Sequence, residues 1–237
     1  MMRFRFSARC AMLWAVAAVG LATLGACSSP PGRFYTLGTG DESAIEIGTT
    51  HPSYLIDMRQ VKVPASVARS QLVVQVNTAQ VKILEDDRWA SPVADEIHNA
   101  LLVAVARQAG ALDAKEFTRS DNVPVYQISA DVQRFESWPA SHALIDVVWS
   151  IRASNASQTL VCRSLVSQHV SAGYEALVEG HRRAIQTLAA QIAAGLRDLS
   201  ARSTTVHGGT GQAALSCPSL ARPSDAGIEA PVLGAAH

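Results

Sequence analysis

The cysteine side chains offer the most distinctive chemistry in this sequence, because a thiol can be acylated, oxidised or used as a nucleophile. The second of the four cysteines, Cys27, follows the small residues Gly25 and Ala26. Three arginines and then an uncharged apolar run over residues 11–24 precede them, an order that is typical of a secretory signal. An apolar run of about 14 residues rises only about 21 Å as a helix, less than the roughly 30 Å hydrocarbon core of a bilayer. Residues 1–26 are therefore predicted to be cleaved rather than to span the membrane.

The residues around Cys27 indicate how the mature chain is held. Leu24-Gly25-Ala26-Cys27 resembles the bacterial lipobox, which implies a diacylglycerol on the Cys27 sulfur, cleavage before Cys27 and acylation of the new amino terminus, with palmitate as the expected acyl group. Each buried methylene stabilises membrane binding by about 0.8 kcal/mol, so three long chains would hold the protein firmly. Ser28 at the second position implies, by enteric-type sorting, the periplasmic face of the outer membrane. The alternative is an ordinary signal peptide with an incidental cysteine.

Cys162 and Cys217 are the remaining cysteines of the mature chain. The periplasm is oxidising, so these two thiols are a candidate disulfide. A disulfide needs Cα atoms within about 7 Å of each other, and the sequence alone does not reveal that distance. Cys217 lies within residues 203–237, a segment rich in Gly, Ala, Ser and Pro that is predicted to be a disordered tail. The pairing therefore stays open at this point.

Motifs for enzymatic, metal or nucleotide chemistry are absent from the sequence. It contains no G-x-S-x-G, G-x-x-x-x-G-K-[ST], H-E-x-x-H or C-x-x-C pattern, and its seven histidines are scattered without metal-ligand spacing. Glu85-Asp86-Asp87 is interpreted as a solvated acidic turn. The leader removes three of the 20 basic residues and none of the 20 acidic ones, and a mildly acidic chain does not favour nucleic acid. The sequence thus predicts no catalytic residue, metal, cofactor or nucleic-acid partner.

The mature chain is long enough for one core-bearing domain, predicted for residues 27–202. Alternating apolar residues predict an antiparallel meander with one solvated face, built from strands at residues 126–132, 145–151 and 159–170. Further strands are predicted at residues 33–37, 53–64, 71–77, 80–84 and 112–117. Helices are predicted at residues 92–109, with Ser91 as N-cap, and at residues 174–200. The predicted fold class is α+β, a largely antiparallel sheet covered on one face by two helices.

Arg88, Trp89 and Trp138 are the candidate partner-binding residues. Aromatic and arginine side chains dominate binding hot spots, and Arg88 and Trp89 lie together just before the first predicted helix. Trp138 is predicted to lie in a loop between meander strands, where its ring would be exposed to lipid or to a partner. The alternative interpretation of Trp89 is a core residue that fastens the start of the helix to the sheet.

Four segments, taken together, resemble the PqiC-like lipoproteins, also called ABC-type transport auxiliary lipoprotein components. They are Cys27–Pro31, Arg33–Leu37, Arg88–Ala90 before a helix that starts with proline, and Tyr174–Val178 at the start of the last helix. The resemblance covers about residues 27–200. It implies a non-catalytic outer-membrane lipoprotein that works with an inner-membrane MCE-domain protein and its ABC transporter. That role is to move phospholipid-like molecules across the periplasm and to keep the envelope intact, with the lipoprotein docking the far end of the MCE tube and a homo-oligomeric ring as one arrangement.

Three alternatives make different structural demands. A hydrolase would need a nucleophile and a base within hydrogen-bond distance in a pocket. A periplasmic lipid carrier would need an apolar cavity between the sheet and the helices that is large enough for acyl chains. An envelope assembly lipoprotein with a different partner would be separated from the transport role by identifying that partner.

Overall fold

The computed structural model describes residues 31–38, 52–115, 123–154, 159–205 and 216–218. Cys27 and the predicted signal peptide lie outside the described residues. The elements are β1 (Arg33–Tyr35), β2 (Leu55–Met58), β3 (Gln71–Asn77), β4 (Gln80–Trp89), α1 (Val93–Ala109), β5 (Leu112–Asp113), β6 (Val125–Trp138), β7 (His142–Ala153), β8 (Thr159–His169) and α2 (Tyr174–Thr205). No helix within the described ranges combines the length and apolar character needed to cross a membrane.

Five strands form the larger sheet, in the order β5-β2-β6-β7-β8. β6, β7 and β8 are antiparallel neighbours, as the meander prediction required, whereas β2 pairs in parallel with both β5 and β6. Along β6 and β8, buried side chains on one face alternate with exposed ones on the other; the exposed ones are polar in β6, whereas those of β8 include Val161 and Leu165. This period of two follows from the pleat, which turns successive side chains to opposite faces of the sheet.

Three strands form a second, smaller sheet, in the order β1-β4-β3. β1 is parallel to β4, and β3 is antiparallel to it. The acidic triplet Glu85-Asp86-Asp87 was predicted as a turn after a strand ending at Leu84, and that prediction was wrong because β4 continues through the triplet to Trp89. The strand persists because β1 pairs with its last residues and because Arg33 neutralises the Asp87 carboxylate.

Both helices contact each other and cover the same face of the larger sheet, which confirms the predicted α+β class. α1 ends at Gly110, whose φ of 65° is the left-handed conformation that glycine adopts readily. The N-cap of α1 is Pro92 rather than the predicted Ser91. Ser91 instead donates its hydroxyl hydrogen to the carboxylate of Glu96 in the first turns of the helix.

A disulfide joins Cys162 of β8 to Cys217, with the two Cα atoms 5.6 Å apart. The short described segment 216–218 is therefore held against β8, an edge strand of the larger sheet. Residues 203–205, the first of the predicted disordered tail, belong to α2 instead. Apart from residues 203–205 and 216–218, that predicted tail lies outside the described residues.

Two glycines let α2 pack closely against the larger sheet. A Cβ atom on Gly180 would lie 2.3 Å from Cγ1 of Val170. A Cβ atom on Gly195 would lie 2.9 Å from Cδ2 of Leu160 and 3.1 Å from the ring of Trp149. All three distances are shorter than van der Waals contact, so helix and sheet touch directly at these two points.

Replacing Gly180 by alanine is expected to lower the free energy of unfolding by about 1–3 kcal/mol, because the added methyl overlaps Val170. The loss should appear even though alanine has a helix propensity about 1 kcal/mol better than that of glycine. Urea unfolding measures the change, and Asp198→Ala on the exposed side of α2 is the control, expected within about 0.5 kcal/mol of wild type. A Gly180→Ala protein as stable as wild type would contradict this packing.

Candidate functional site

The buried carboxylate of Asp87 on β4 holds the N-terminal strand β1 against the rest of the domain. Arg33 Nη2 donates to Asp87 Oδ2 at 2.8 Å, and Arg33 Nε lies 2.7 Å from Oδ1. The Tyr35 hydroxyl donates to the same Oδ1 at 3.0 Å. Burial, together with this hydrogen bond to Asp87, raises the pKa of Tyr35 to about 12. The two-pronged contact sets the orientation of β1 as well as its position, because both guanidinium donors must face both carboxylate oxygens.

A second buried carboxylate, that of Glu96 in α1, forms hydrogen bonds with the residues that follow β1. Its Oε2 accepts hydrogen bonds from the Thr36 hydroxyl and the Leu37 amide, each at 2.8 Å. Its Oε1 accepts from the Ser91 hydroxyl at 2.7 Å and from the Ser91 amide at 3.1 Å. Glu96 is only 6% exposed, and a buried carboxylate is tolerated when its oxygens are hydrogen-bonded and it lies near the positive end of a helix.

The second helix also holds this segment. Arg182 Nη2 donates to the Thr36 carbonyl oxygen at 2.8 Å. Leu37 is 1% exposed and borders a cavity of about 10 Å³ that Ala100 of α1 and Ile185 of α2 also line. Segment 33–37 therefore contacts β4, α1 and α2, and we call this set of contacts the N-terminal junction. Cys27 is six residues before Arg33, so an extended chain lets them lie at most about 22 Å apart.

The candidate residues Arg88 and Trp89 lie on opposite faces of the smaller sheet. Trp89 is 4% exposed, and its ring centroid lies 6.0 Å from that of Phe135. Arg88 is half-buried and donates its Nε hydrogen to the Glu85 carbonyl oxygen at 2.7 Å. Trp89 thus occupies the core position that the alternative interpretation described, and only Arg88 reaches the surface.

The third candidate, Trp138, is the last residue of β6, so its predicted place in a loop was wrong. β6 extends this far because Trp138 pairs with His142 across the hairpin. The ring is half-buried, stacks on His142 at a centroid distance of 5.6 Å and donates from Nε1 to Glu136 at 2.9 Å. Arg134 also binds Glu136, and their hydrogen bond lowers the pKa of that carboxyl group. Trp138 therefore lies in an ordered cluster on the solvated face of the larger sheet.

A trough of about 690 Å³ crosses this solvated face from β2 to β8. Its floor includes the short side chains of Ser129 and Ser150, which pair across β6 and β7. Val161 lines it at the β8 end. Val161 and Leu165 are 59% and 62% exposed, so β8 presents apolar side chains next to an open concave surface.

Sequence reasoning missed a serine–histidine contact. Ser137 Oγ lies 2.8 Å from His181 Nε2, and the His181 ring stacks on Phe135 at a centroid distance of 4.0 Å. Both residues are buried, and the cavity beside Ser137 holds about 10 Å³, room for about one water molecule. The pair thus has the spacing of a nucleophile and its base but no space for a substrate. The two residues are 44 positions apart in the sequence, so the sequence carries no local signal of the contact. Among the described residues, no three metal-ligating side chains come together either.

Comparison with known families identifies the chain. A family model described as ABC-type transport auxiliary lipoprotein component matches residues 35–193. The chain belongs to this family. The resemblance to PqiC-like lipoproteins is thereby confirmed. No curated protein matches the sequence.

Two crystal structures share the fold of this auxiliary lipoprotein. One, of an uncharacterized protein, has 18% sequence identity and a TM-score of 0.56 and covers 70% of this chain and 99% of its own. The other, of protein XCC0632 from Xanthomonas campestris, has 17% identity and a TM-score of 0.51 and covers 65% of this chain and 88% of its own. At such identities the likeness extends to the fold alone.

The family consists of transport auxiliary lipoproteins of the cell envelope and is not an enzyme family. The matched range begins at Tyr35 and includes both carboxylates of the N-terminal junction, Asp87 and Glu96. Cys27 and Cys217 lie outside it. Most of the junction therefore lies in the matched range, with Arg33 just before it, whereas the disulfide connects that range to a segment beyond it.

Replacing Glu96 by glutamine is expected to lower the free energy of unfolding by about 1–3 kcal/mol, because an amide nitrogen would then face hydrogen-bond donors that a carboxylate oxygen now satisfies. Asp95→Asn in the same turn is the control and should stay within about 0.5 kcal/mol of wild type. Urea unfolding gives the comparison. Equal stability of the two variants would contradict the role of Glu96 as the acceptor that holds the junction.

Acid should destabilise the domain through His181. Burial lowers the pKa of His181 to about 3 from an ordinary 6.5. Between these values only the unfolded chain binds the proton, so stability present above pH 6.5 is lost as the pH falls. The loss amounts to at most about 1.4 kcal/mol per pH unit. Urea unfolding between pH 7.5 and 5.0 should show this slope in wild type and in the exposed control His169→Gln, and a smaller slope in His181→Gln. An unchanged slope in His181→Gln would contradict the assignment of the acid sensitivity to His181.

Proposed function

We propose that this protein is an outer-membrane lipoprotein that docks the periplasmic MCE-domain component of an intermembrane lipid transport system and so supports envelope integrity. Acyl chains on Cys27 would hold it in the outer membrane. The observation that carries the proposal is the N-terminal junction within a domain of the transport auxiliary family. A docking subunit must transmit the position of its lipid anchor to the surface that binds the partner, and the junction provides that connection.

The reach of the anchor favours a role close to the membrane. With at most about 22 Å of chain between Cys27 and Arg33, the domain stays beside the bilayer while its partner extends across the periplasm from the inner membrane. A substrate carrier that moves between the membranes would need a longer tether or none.

The solvated face of the larger sheet is the proposed docking surface for the MCE protein, because α1 and α2 cover the opposite face. It carries the exposed side chains of Val161 and Leu165, and the half-buried ring of Trp138 with its neighbours His142 and Glu136. Between them, Arg163 binds Asp146 with hydrogen bonds of 2.9 and 2.6 Å, and this contact lowers the pKa of Asp146. A rigid, apolar and ion-paired surface suits a permanent protein partner, since few side chains must be ordered on binding.

The carrier alternative is not favoured, because α2 and the sheet touch at Gly180 and Gly195, leaving no room there for an acyl chain. The hydrolase alternative is not favoured either, because Ser137 and His181 are closed off from any substrate-sized space.

Photo-crosslinking in living cells tests the proposal. A benzophenone amino acid replaces Trp138 or Leu165 on the docking surface, with Asp198 on the exposed side of α2 as the matched control. We expect adducts with an MCE-domain protein at the first two positions and not at the control, in cells where mass spectrometry shows that Cys27 is acylated. Adducts with an envelope assembly protein instead would establish the alternative function. The absence of any MCE or transporter adduct would refute the docking role.

A further inference from the structure

The outward face of the smaller sheet carries an apolar stripe that the proposed function does not use. Strand register brings its residues together, because Phe34 pairs with Arg88, and Val73 pairs with Ile83. Gln71 pairs with Arg88 as well, and Val81 pairs with Gln75. Residues opposite each other, and alternate residues along one strand, point to the same side of a sheet. The pairing of β3 with β4 shifts in register between Gln71 and Val73, so Arg88 and Ile83 face the same side although they are five residues apart on β4. Phe34, Val73, Val81 and Ile83 therefore share one side, which we call the apolar face of the smaller sheet.

This face is exposed to solvent. Phe34 is 68% exposed, Val81 48% and Ile83 38%, and Val73 is half-buried. Three of the six exposed large hydrophobic side chains in the described part of the chain thus lie on one face of a three-stranded sheet. Grouped apolar side chains of this kind mark an interaction surface more often than single exposed ones do.

The position of Phe34 in the chain indicates what covers the face. Its ring lies about 3.6 Å from where a Gly32 Cβ would be, so Phe34 sits beside the chain that enters the domain. Only residues 28–30 separate the described chain from Cys27, and Phe34 is seven residues after Cys27. An extended chain of that length spans at most about 25 Å. Among the exposed large apolar side chains of the described residues, Phe34 is thus the nearest in sequence to Cys27.

The polar residues of this face suit a membrane surface. Arg88 lies beside Phe34, and a guanidinium is a good donor to phosphate oxygens. The neighbouring Glu85 carboxylate accepts a hydrogen bond from Gln71 at 3.4 Å, and the Glu85 carbonyl oxygen accepts from Arg88. The face therefore has an apolar centre and a border of mixed charge, as expected for a surface that dips only into the headgroup region.

We propose that the apolar face of the smaller sheet rests on the outer membrane, with Phe34 inserted at the boundary between headgroups and acyl chains. This rests on the lipid anchor of the proposed function, but not on its MCE partner. Contact at this face fixes the tilt of the domain, so that the solvated face of the larger sheet is presented in a constant orientation.

Photo-crosslinking to lipid in purified vesicles tests this without any partner protein. The full acylated lipoprotein is reconstituted in vesicles of phosphatidylethanolamine and phosphatidylglycerol, with a benzophenone amino acid at Phe34, at Val81 or, as a control of similar exposure, at Leu165. Interfacial insertion reaches only about 5–10 Å, so we expect a lipid adduct yield at Phe34 and Val81 roughly tenfold above that at Leu165.

Each other outcome overturns a different part of the inference. Equal lipid yields at the three positions, or none, would show that the face does not lie on the bilayer. Adducts between two copies of the chain at Val81 would assign the face to self-association instead. If mass spectrometry shows no acyl chain on Cys27, both this inference and the anchor of the proposed function fail, whereas an acylated protein without adducts refutes this inference alone.

Discussion

The buried carboxylate of Glu96 joins three parts of the structure. Its hydrogen bonds hold the N-terminal segment and the chain just after β4 against the first turn of α1. It accepts hydrogen bonds from Thr36 and Leu37, which follow β1, and from Ser91, which precedes the N-cap of α1. Removing such a charge leaves several donors unsatisfied at once, which costs more than a single surface contact. Asp87 of β4 is a second buried carboxylate of this kind, and its hydrogen-bond donors are Arg33 and Tyr35 of β1. The smaller sheet and the helix layer are joined through these two groups.

Close packing explains why function is expected at the surface rather than inside. α2 crosses the larger sheet with Gly180 and Gly195 in direct contact with it, and the cavity beside Leu37 holds about 10 Å³. A lipid chain needs a far larger internal space. What the fold does provide is a set of rigid outward faces whose orientation depends on where the chain enters. The placement of the entering strand therefore bears on every interaction proposed for this lipoprotein.

The parts of the fold that could be predicted are those with a local signal. Alternation in β6 to β8 marked the meander, and Pro92 and Gly110 marked the ends of α1 to within a residue. The second sheet could not be predicted, because Arg33 and Asp87 are 54 residues apart and a bare acidic triplet is typical of a turn. Asp87 and Trp89 point into the core because β1 pairs with this end of β4, and the sequence alone does not reveal that pairing. Likewise, the partners of Glu96 and His181 come from distant elements, which a single sequence does not bring together.

Hydrogen exchange of the acylated protein in vesicles tests most directly whether the lipid anchor is rigidly connected to the domain. The amides to follow are those of Leu37, which donates to Glu96, and Ala90, which donates to the Tyr35 carbonyl oxygen. If the junction is an integral part of the fold, both exchange as slowly as the interior strand β7, through global unfolding. Exchange at the rate of an unprotected chain would show that the domain hangs from a flexible tether, and would contradict a junction that fixes the domain relative to its anchor.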